Sequence, residues 1–128
     1  MEPVNDLNTA VYPILIVDDE QDICFMLSNI LKQKAFKTAF VHTILDAENW
    51  VHHQTPLLVF LDNNLPDGRG VDFIPALKKL VPSAKVVMIT AYDTPTDRRS
   101  AIANGADEFI GKPFTRQMIY NTLEKLFV

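Results

Sequence analysis

Leu57-Leu58-Val59-Phe60-Leu61-Asp62 is an unbroken apolar run closed by an acid, followed at once by the turn-rich Asn63-Asn64-Leu65-Pro66-Asp67-Gly68. A run of this length between turn residues fits a strand covered on both faces, the situation inside a parallel sheet. Such a strand requires helices above and below it. Asp62 then lies at the carboxyl rim of the sheet, where open α/β folds hold their ligand sites. The plainer reading is that Asp62 starts the turn, as Asx residues commonly do.

Taken from the N-terminus, the chain repeats this pattern. Residues 1–10 are polar and without periodicity and read as a loose leader, ahead of a single domain over 11–128. Tyr12-Pro13-Ile14-Leu15-Ile16-Val17 is a second apolar run ending in acid, here Asp18-Asp19-Glu20. From Glu20 to Lys34 the spacing turns helical, with Ile23, Met26, Leu27, Ile30 and Leu31 on one stripe. Phe36 to His42 reads as a short strand, and Thr43 with Asp46 opens a helix carrying Ala47, Trp50 and Val51 inward. Gly70 to Leu80 is a third helix through Val71, Phe73, Ile74, Leu77 and Leu80, in which Pro75 is comfortable only in the first turn. Lys85 to Thr90 is a strand ending on a hydroxyl, and a polar stretch from Thr94 leads into a helix stopped at Gly105. Asp107 to Ile110 is the last strand. Thr115 to Phe127 closes as a helix, with Ile119, Leu123 and Leu126 inward and Met118, Thr122 and Phe127 flanking.

Five alternations of strand and helix predict an α/β fold, a doubly wound five-stranded parallel sheet with helices on both faces. Right-handed crossovers bring the carboxyl ends to one rim. That rim collects Asp18, Asp19, Asp62, Thr90 and Lys112. Crowded carboxylates repel: at an effective dielectric of about 20, two unit charges ~4 Å apart cost about 4 kcal/mol. Such a cluster either protonates one member or binds a cation, and an all-oxygen set with room for water suits Mg²⁺ or Mn²⁺. Lys112 would add a fixed positive charge. Singly, each residue has a plainer role, as helix cap, satisfied hydroxyl or solvated lysine. Their joint occurrence at strand ends is what points to a site.

Composition narrows the partners. A formal net charge of −4 argues against nucleic acid as a direct partner, because phosphate binding needs a basic face. No apolar run approaches the length of a bilayer and the N-terminus lacks a signal pattern, so no membrane attachment is expected. The lone Cys24 cannot form an internal disulfide and fits a reducing, cytoplasmic setting. His42, His52 and His53 have no acid or Cys arrangement around them that suggests a metal site.

Four segments now carry a resemblance. Ile16-Val17-Asp18-Asp19-Glu20, Leu61 to Gly68, Ile89-Thr90-Ala91 and Gly111-Lys112-Pro113-Phe114 look like the receiver domain of two-component response regulators, as does Gly105-Ala106-Asp107. The likeness runs from about Tyr12 to Phe127. It implies a flavodoxin-like (βα)5 fold in which Asp62 accepts a phosphoryl group from a histidine kinase or histidine phosphotransfer protein. By that pattern Asp19 binds Mg²⁺ directly, Asp18 helps through water, Asp62 shares the ion, and Asn64 offers its backbone carbonyl. Lys112 and Thr90 complete the catalytic set, and Phe109 occupies the position of the family's switch aromatic. As a Phe it has no hydroxyl, so a switch there runs on packing alone. Tyr92 and Asn64 are expected to tune the lifetime of the phosphate. The domain is expected to phosphorylate and slowly dephosphorylate itself without being classed as an enzyme.

The resemblance also implies output through the face made by the fourth helix, fifth strand and fifth helix, where Arg98 and Arg99 fall, to an output domain or a downstream protein. A homodimer through that face is a further expectation. Phe25, off the inward stripe of the first helix, is a candidate for docking the phosphoryl donor, with Pro113 and Phe114 beside it. Two other functions stay open on sequence: a phosphorylation-independent interaction module of receiver shape, and a metal-dependent phosphohydrolase. The second is opposed by adjacent Asp18-Asp19 where such phosphatases of the haloacid dehalogenase type carry a DxD arrangement.

Overall fold

The computed structural model describes residues 13–127. The expected leader, Tyr12 of the first strand and Val128 lie outside them. The main sheet is built from β1 (Ile14–Val17), β2 (Thr38–Val41), β3 (Leu58–Asp62), β4 (Lys85–Thr90) and β5 (Glu108–Gly111). Between them run α1 (Gln21–Lys32), α2 (Ile44–Val51), α3 (Gly70–Leu80), α4 (Pro95–Ala103) and α5 (Arg116–Phe127). The strand order is β2-β1-β3-β4-β5 and every pairing is parallel. A two-stranded antiparallel ribbon, Asn64–Leu65 with Gly68–Arg69, interrupts the connection from β3 to α3.

Period-two alternation along the strands feeds two cores. Leu15, Val17, Val59, Leu61, Val86 and Met88 point to one face, where α2 and α3 supply Ala47, Val51, Val71, Phe73, Ile74 and Leu77. Ile14, Ile16, Leu58, Phe60, Val87 and Ile89 point to the other, against Cys24, Leu27, Ile30 and Leu31 of α1 and Ile119 and Leu123 of α5. β1 and β3 are therefore buried at every position, whereas β2, at the sheet edge, is half-buried throughout. The doubly wound α/β fold expected from the sequence is the one found.

Some details differ. In α1 the buried stripe takes Cys24, while Met26 is 43% exposed. Met26 lies about 100° round the helix from Leu27, at the margin of the stripe, and the small Cys24 fits beneath the end of β1. Pro75 is the sixth residue of α3, past the first turn. It is exposed, so the missing N–H and the ring fall on the solvent side of the helix. Trp50 and Leu126 are half-buried rather than fully inward. Gly105, just after α4, has φ +115°, as expected of a glycine that ends a helix. No helix among the described residues is long and apolar enough to cross a membrane.

Gly70, at the start of α3, has a different constraint. A Cβ there would stand 2.1 Å from the backbone carbonyl oxygen of Asp62. Backbone cannot swing aside as a side chain can. Gly70→Ala should therefore lower the unfolding free energy by roughly 2–3 kcal/mol, as overpacking does. Urea denaturation checks this, and wild-type stability in the variant would show that the contact is not tight.

Candidate functional site

The carboxyl ends of β1, β3, β4 and β5 meet at one rim. Asp18 follows β1 and is buried; its N–H donates to the Val41 carbonyl (3.1 Å), and its Oδ1 accepts from the Glu20 N–H (2.9 Å). Its own carbonyl accepts from His42 Nδ1 (2.8 Å) and from Cys24 Sγ (3.4 Å). Asp62 ends β3 and is only 3% exposed. Thr90 ends β4, buried, with its hydroxyl oxygen accepting from the Tyr92 N–H at 3.2 Å. Just past β5, the Lys112 N–H donates to the Thr90 carbonyl (2.8 Å), fixing the start of its side chain at the rim.

Lys112 reaches back across the sheet. Its Nζ is 2.7 Å from Glu20 Oε1, 2.9 Å from Asp18 Oδ2 and 3.5 Å from Asp62 Oδ1. Burial works against its charge, but the hydrogen bond it donates to Glu20, its close contact with Asp18 and the pull of the Asp62 and Asp18 charges outweigh it, so it is held firmly as an ammonium. One carboxylate oxygen each from Asp18, Asp19 and Asp62 lie within 4.8 Å of one another. Burial, then the charge of Asp18, pushes the Asp62 carboxyl up to about 6 against the opposing pull of Lys112. Asp18 is also raised, by burial first, with the Glu20 N–H and Lys112 pulling the other way. Cys24 is pushed up to about 12 by burial and by Asp18, so it is present as a thiol able to donate.

Asp18 Oδ2 tests whether a cation fits. Its contact with Lys112 is short enough for an ion pair but not aligned as a hydrogen bond, so the oxygen is buried without a donor. An unsatisfied buried carboxylate oxygen beside two further carboxylates is the donor set of a hard divalent ion. The residues fit Mg²⁺ or Mn²⁺.

The other expected residues are placed as follows. Asn64 lies in the ribbon with its side chain exposed. Phe109 is buried, with the Arg98 guanidinium 4.8 Å above its ring and Arg98 itself tied to Asp93 at 3.0 and 3.1 Å. Tyr92 is 62% exposed. Phe25 is 48% exposed and meets Phe40 edge to face, ring centroids 5.7 Å apart. Pro113 is exposed, but Phe114, expected among the docking residues, gives its ring to the core under α5. It packed inward because its apolar ring follows directly on the last strand, where α5 must be seated.

Three contributors went unread in the sequence. Glu20 takes the shortest contact with Lys112, 92 residues away. Asn63 is buried and clamps the start of α3, its carbonyl accepting from the Gly70 N–H and its Oδ1 from the Val71 N–H. Asp67 caps α2, its two oxygens accepting from the Ile44 and Leu45 N–H groups at 2.9 and 3.0 Å, which hold its carboxyl below the usual range. The segment after Asp62 is thus fastened to two helix starts. The Asx-rich, Pro-Asp-Gly composition signalled a turn, but not which helices would grip it.

Comparison with known proteins agrees with this geometry. The family model described as "Response regulator receiver domain" matches residues 14–124. The phosphate regulon transcriptional regulatory protein PhoB of Escherichia coli (strain K12) is 36% identical over 104 residues, covering 80% of this chain and 45% of that protein. This chain spans about half the length of the curated relatives it matches. Among solved structures, a CheY-like response regulator receiver domain protein from Methanospirillum hungatei JF-1 superposes with a TM-score of 0.84 at 27% identity, covering 91% of this chain and 94% of that one. The beryllofluoride-activated NtrC4 receiver domain dimer gives 0.84 at 33% identity, covering 89% and 94%. A sheet of this order, an acid cluster at its carboxyl rim and a family match over almost the whole described chain lead to one conclusion: the chain belongs to the response regulator receiver domain family.

Proposed function

We propose that Asp62 accepts one phosphoryl group from the phosphohistidine of a histidine kinase or histidine phosphotransfer protein, and that the change is passed to an output domain or downstream protein. The observation that carries this reading is the buried Asp62 carboxylate, standing 3.5 Å from the Lys112 ammonium with Asp18 and Asp19 beside it. Asp19 and Asp62 would hold Mg²⁺ directly, Asp18 through water and Asn64 through its carbonyl, with Mn²⁺ as a substitute. Bound there, the ion supplies charge to offset the phosphoryl oxygens.

The chain's own part is positional. An Asp62 carboxylate oxygen attacks phosphorus in line; the new O–P bond forms as the donor's P–N bond breaks, and the imidazole leaves with that electron pair and takes up a proton. Lys112 neutralises a phosphoryl oxygen, and the Thr90 hydroxyl donates to another, giving up its contact with Tyr92. The domain takes up one group per molecule rather than turning over a substrate, and loses it slowly, with Asn64 and Tyr92 setting the rate. A cytoplasmic setting is part of this reading.

The acyl phosphate brings up to two negative charges to the rim. Phe109 is already buried beneath Arg98. The proposed switch therefore lies in how firmly that ring is held, and it is read on the α4–β5–α5 face. A groove of ≈ 430 Å³ lined by Arg98, Phe109, Met118 and Lys125 runs along this face. Self-association through the same face is part of the proposal, and the NtrC4 relative is described as a dimer. Moving such a switch from mostly off to mostly on takes about 5.5 kcal/mol of differential stabilisation, within reach of several charge-assisted hydrogen bonds.

Three outcomes are expected. Incubated with acetyl phosphate and Mg²⁺, the protein should gain the mass of one phosphoryl group, and the Asp62→Asn variant should not. Absence of the gain with phosphoramidate and Mn²⁺ as well would point to a phosphorylation-independent module. Second, the raised Asp62 carboxyl makes stability depend on pH. Its folded value, about 6, lies above the ordinary 3.8, so both folded and unfolded states are protonated below about pH 4 and stability is lost as pH rises through 6. In chelator, Asp62→Asn should be more stable than wild type by on the order of 2 kcal/mol at pH 7.5 and equal to it near pH 4. Equal urea midpoints at both pH values would show that the carboxyl is not strained. Third, Phe25→Ala should slow phosphoryl transfer from a protein donor about tenfold, in the range of a lost interface anchor, while labelling by acetyl phosphate stays the same. An unchanged rate from the protein donor would remove Phe25 from the docking surface.

A further inference from the structure

The acid pair sits on a peptide that is held from outside. Between β1 and α1 the chain must turn so that Asp18 and Asp19, adjacent in sequence, both aim a carboxylate oxygen toward Asp62. Which way they aim is set by the orientation of the Asp18–Asp19 peptide unit. The Asp18 N–H is tied to the Val41 carbonyl at 3.1 Å, which extends the pairing of β1 with β2 by one step. One residue on, the Asp18 carbonyl is tied to the same strand end, by the His42 side chain at 2.8 Å. Since a carbonyl only accepts, His42 Nδ1 carries the hydrogen. The second donor to that carbonyl, Cys24 Sγ at 3.4 Å, is a thiol and a weak one. His42 therefore provides the stronger restraint.

The ring is itself held. His42 packs against Phe40 with centroids 5.8 Å apart and planes at 48°, and Phe40 is braced in turn by Phe25. This places the donor nitrogen without help from the acid cluster. We propose that His42 is a positioning residue for the acid site: by donating from Nδ1 to the Asp18 carbonyl it fixes the Asp18–Asp19 peptide, and so the carboxylate geometry that takes a divalent cation. The inference rests on the reading of the acid cluster given under Proposed function. Partners of this outer kind typically change metal affinity or activity by 10–100-fold when removed.

Two substitutions separate the hydrogen bond from the packing. His42→Phe keeps a ring against Phe40 and removes the donor; His42→Asn removes the ring and places an amide N–H near the position of Nδ1. Mg²⁺ alone is titrated into each unphosphorylated protein by calorimetry, with urea stability measured in parallel and acetyl phosphate labelling afterwards. His42→Phe should weaken Mg²⁺ binding at least tenfold with stability near wild type. His42→Asn should bind within about threefold of wild type, whatever stability it loses with the ring. Wild-type affinity in His42→Phe overturns the proposal, as does equal weakening in both variants. Failure of the wild-type protein itself to bind Mg²⁺ or take up phosphate would instead overturn the underlying reading of the site.

Discussion

One ammonium among four carboxylates governs the rim of this sheet. Lys112 is within 3.5 Å of oxygens from Glu20, Asp18 and Asp62, and Asp19 completes the acid group. Its three contacts join the segment after β5 to the ends of β1 and β3, across the width of the sheet. Burial of this set, with a single positive charge unable to balance it, raises the Asp62 carboxyl, and one Asp18 oxygen is left with no donor. Buried polar groups are normally satisfied, so an exception at a rim of this kind is a sign of function rather than of poor packing. The surrounding elements serve to keep that frustrated group together.

Strand register does most of that work. Val17 pairs with Leu61, Leu61 with Met88, Asp62 with Ile89, and Thr90 with Gly111. Asp18, Asp62, Thr90 and Lys112 each stand at a ladder's last rung or one residue beyond it, so the rungs deliver them to one place without any loop having to reach. A slip of one residue in β3 would invert every side chain of the strand and carry Leu61 and Val59 to the opposite core. Both cores are apolar, so it is the close fit of particular side chains on each face, rather than polarity, that opposes the slip. Core packing, which carries no chemistry, therefore sets the geometry of the acid cluster.

This explains which parts were legible in the sequence. The strands, helices and acid-ended runs follow from local periodicity and turn chemistry, and α3 and β4 have the expected bounds of Gly70–Leu80 and Lys85–Thr90. Cys24 in place of Met26 on the buried stripe was not legible, because helical spacing allows both and only the shape of the β1 end chooses between them. The anchoring of Asp67 on α2 joins residues 22 and 23 apart, and that of Lys112 on Glu20 residues 92 apart. Neither has a local signature. Phe114 shows the opposite limit: its position in a motif suggested surface contact, while its apolar ring was claimed by the core.

The path from the rim to the α4–β5–α5 face, the proposed output surface, is short and made of few contacts. The Thr90 hydroxyl accepts from the Tyr92 N–H, and the next residue, Asp93, holds Arg98 over the Phe109 ring. The Asp93 side chain lies so close to Gly111 that a Cβ there would stand 2.8 Å from its Oδ2, so this approach requires a glycine. The Asp93–Arg98 pair is exposed, so by itself it contributes no more than about 1 kcal/mol. The connection therefore depends on the missing side chain at Gly111 and is energetically soft at Arg98. On the proposed reading, a charge arriving at Asp62 would meet no strong lock on Phe109; it would compete for the Thr90 hydroxyl, with the loop that carries Asp93 as the link to Arg98.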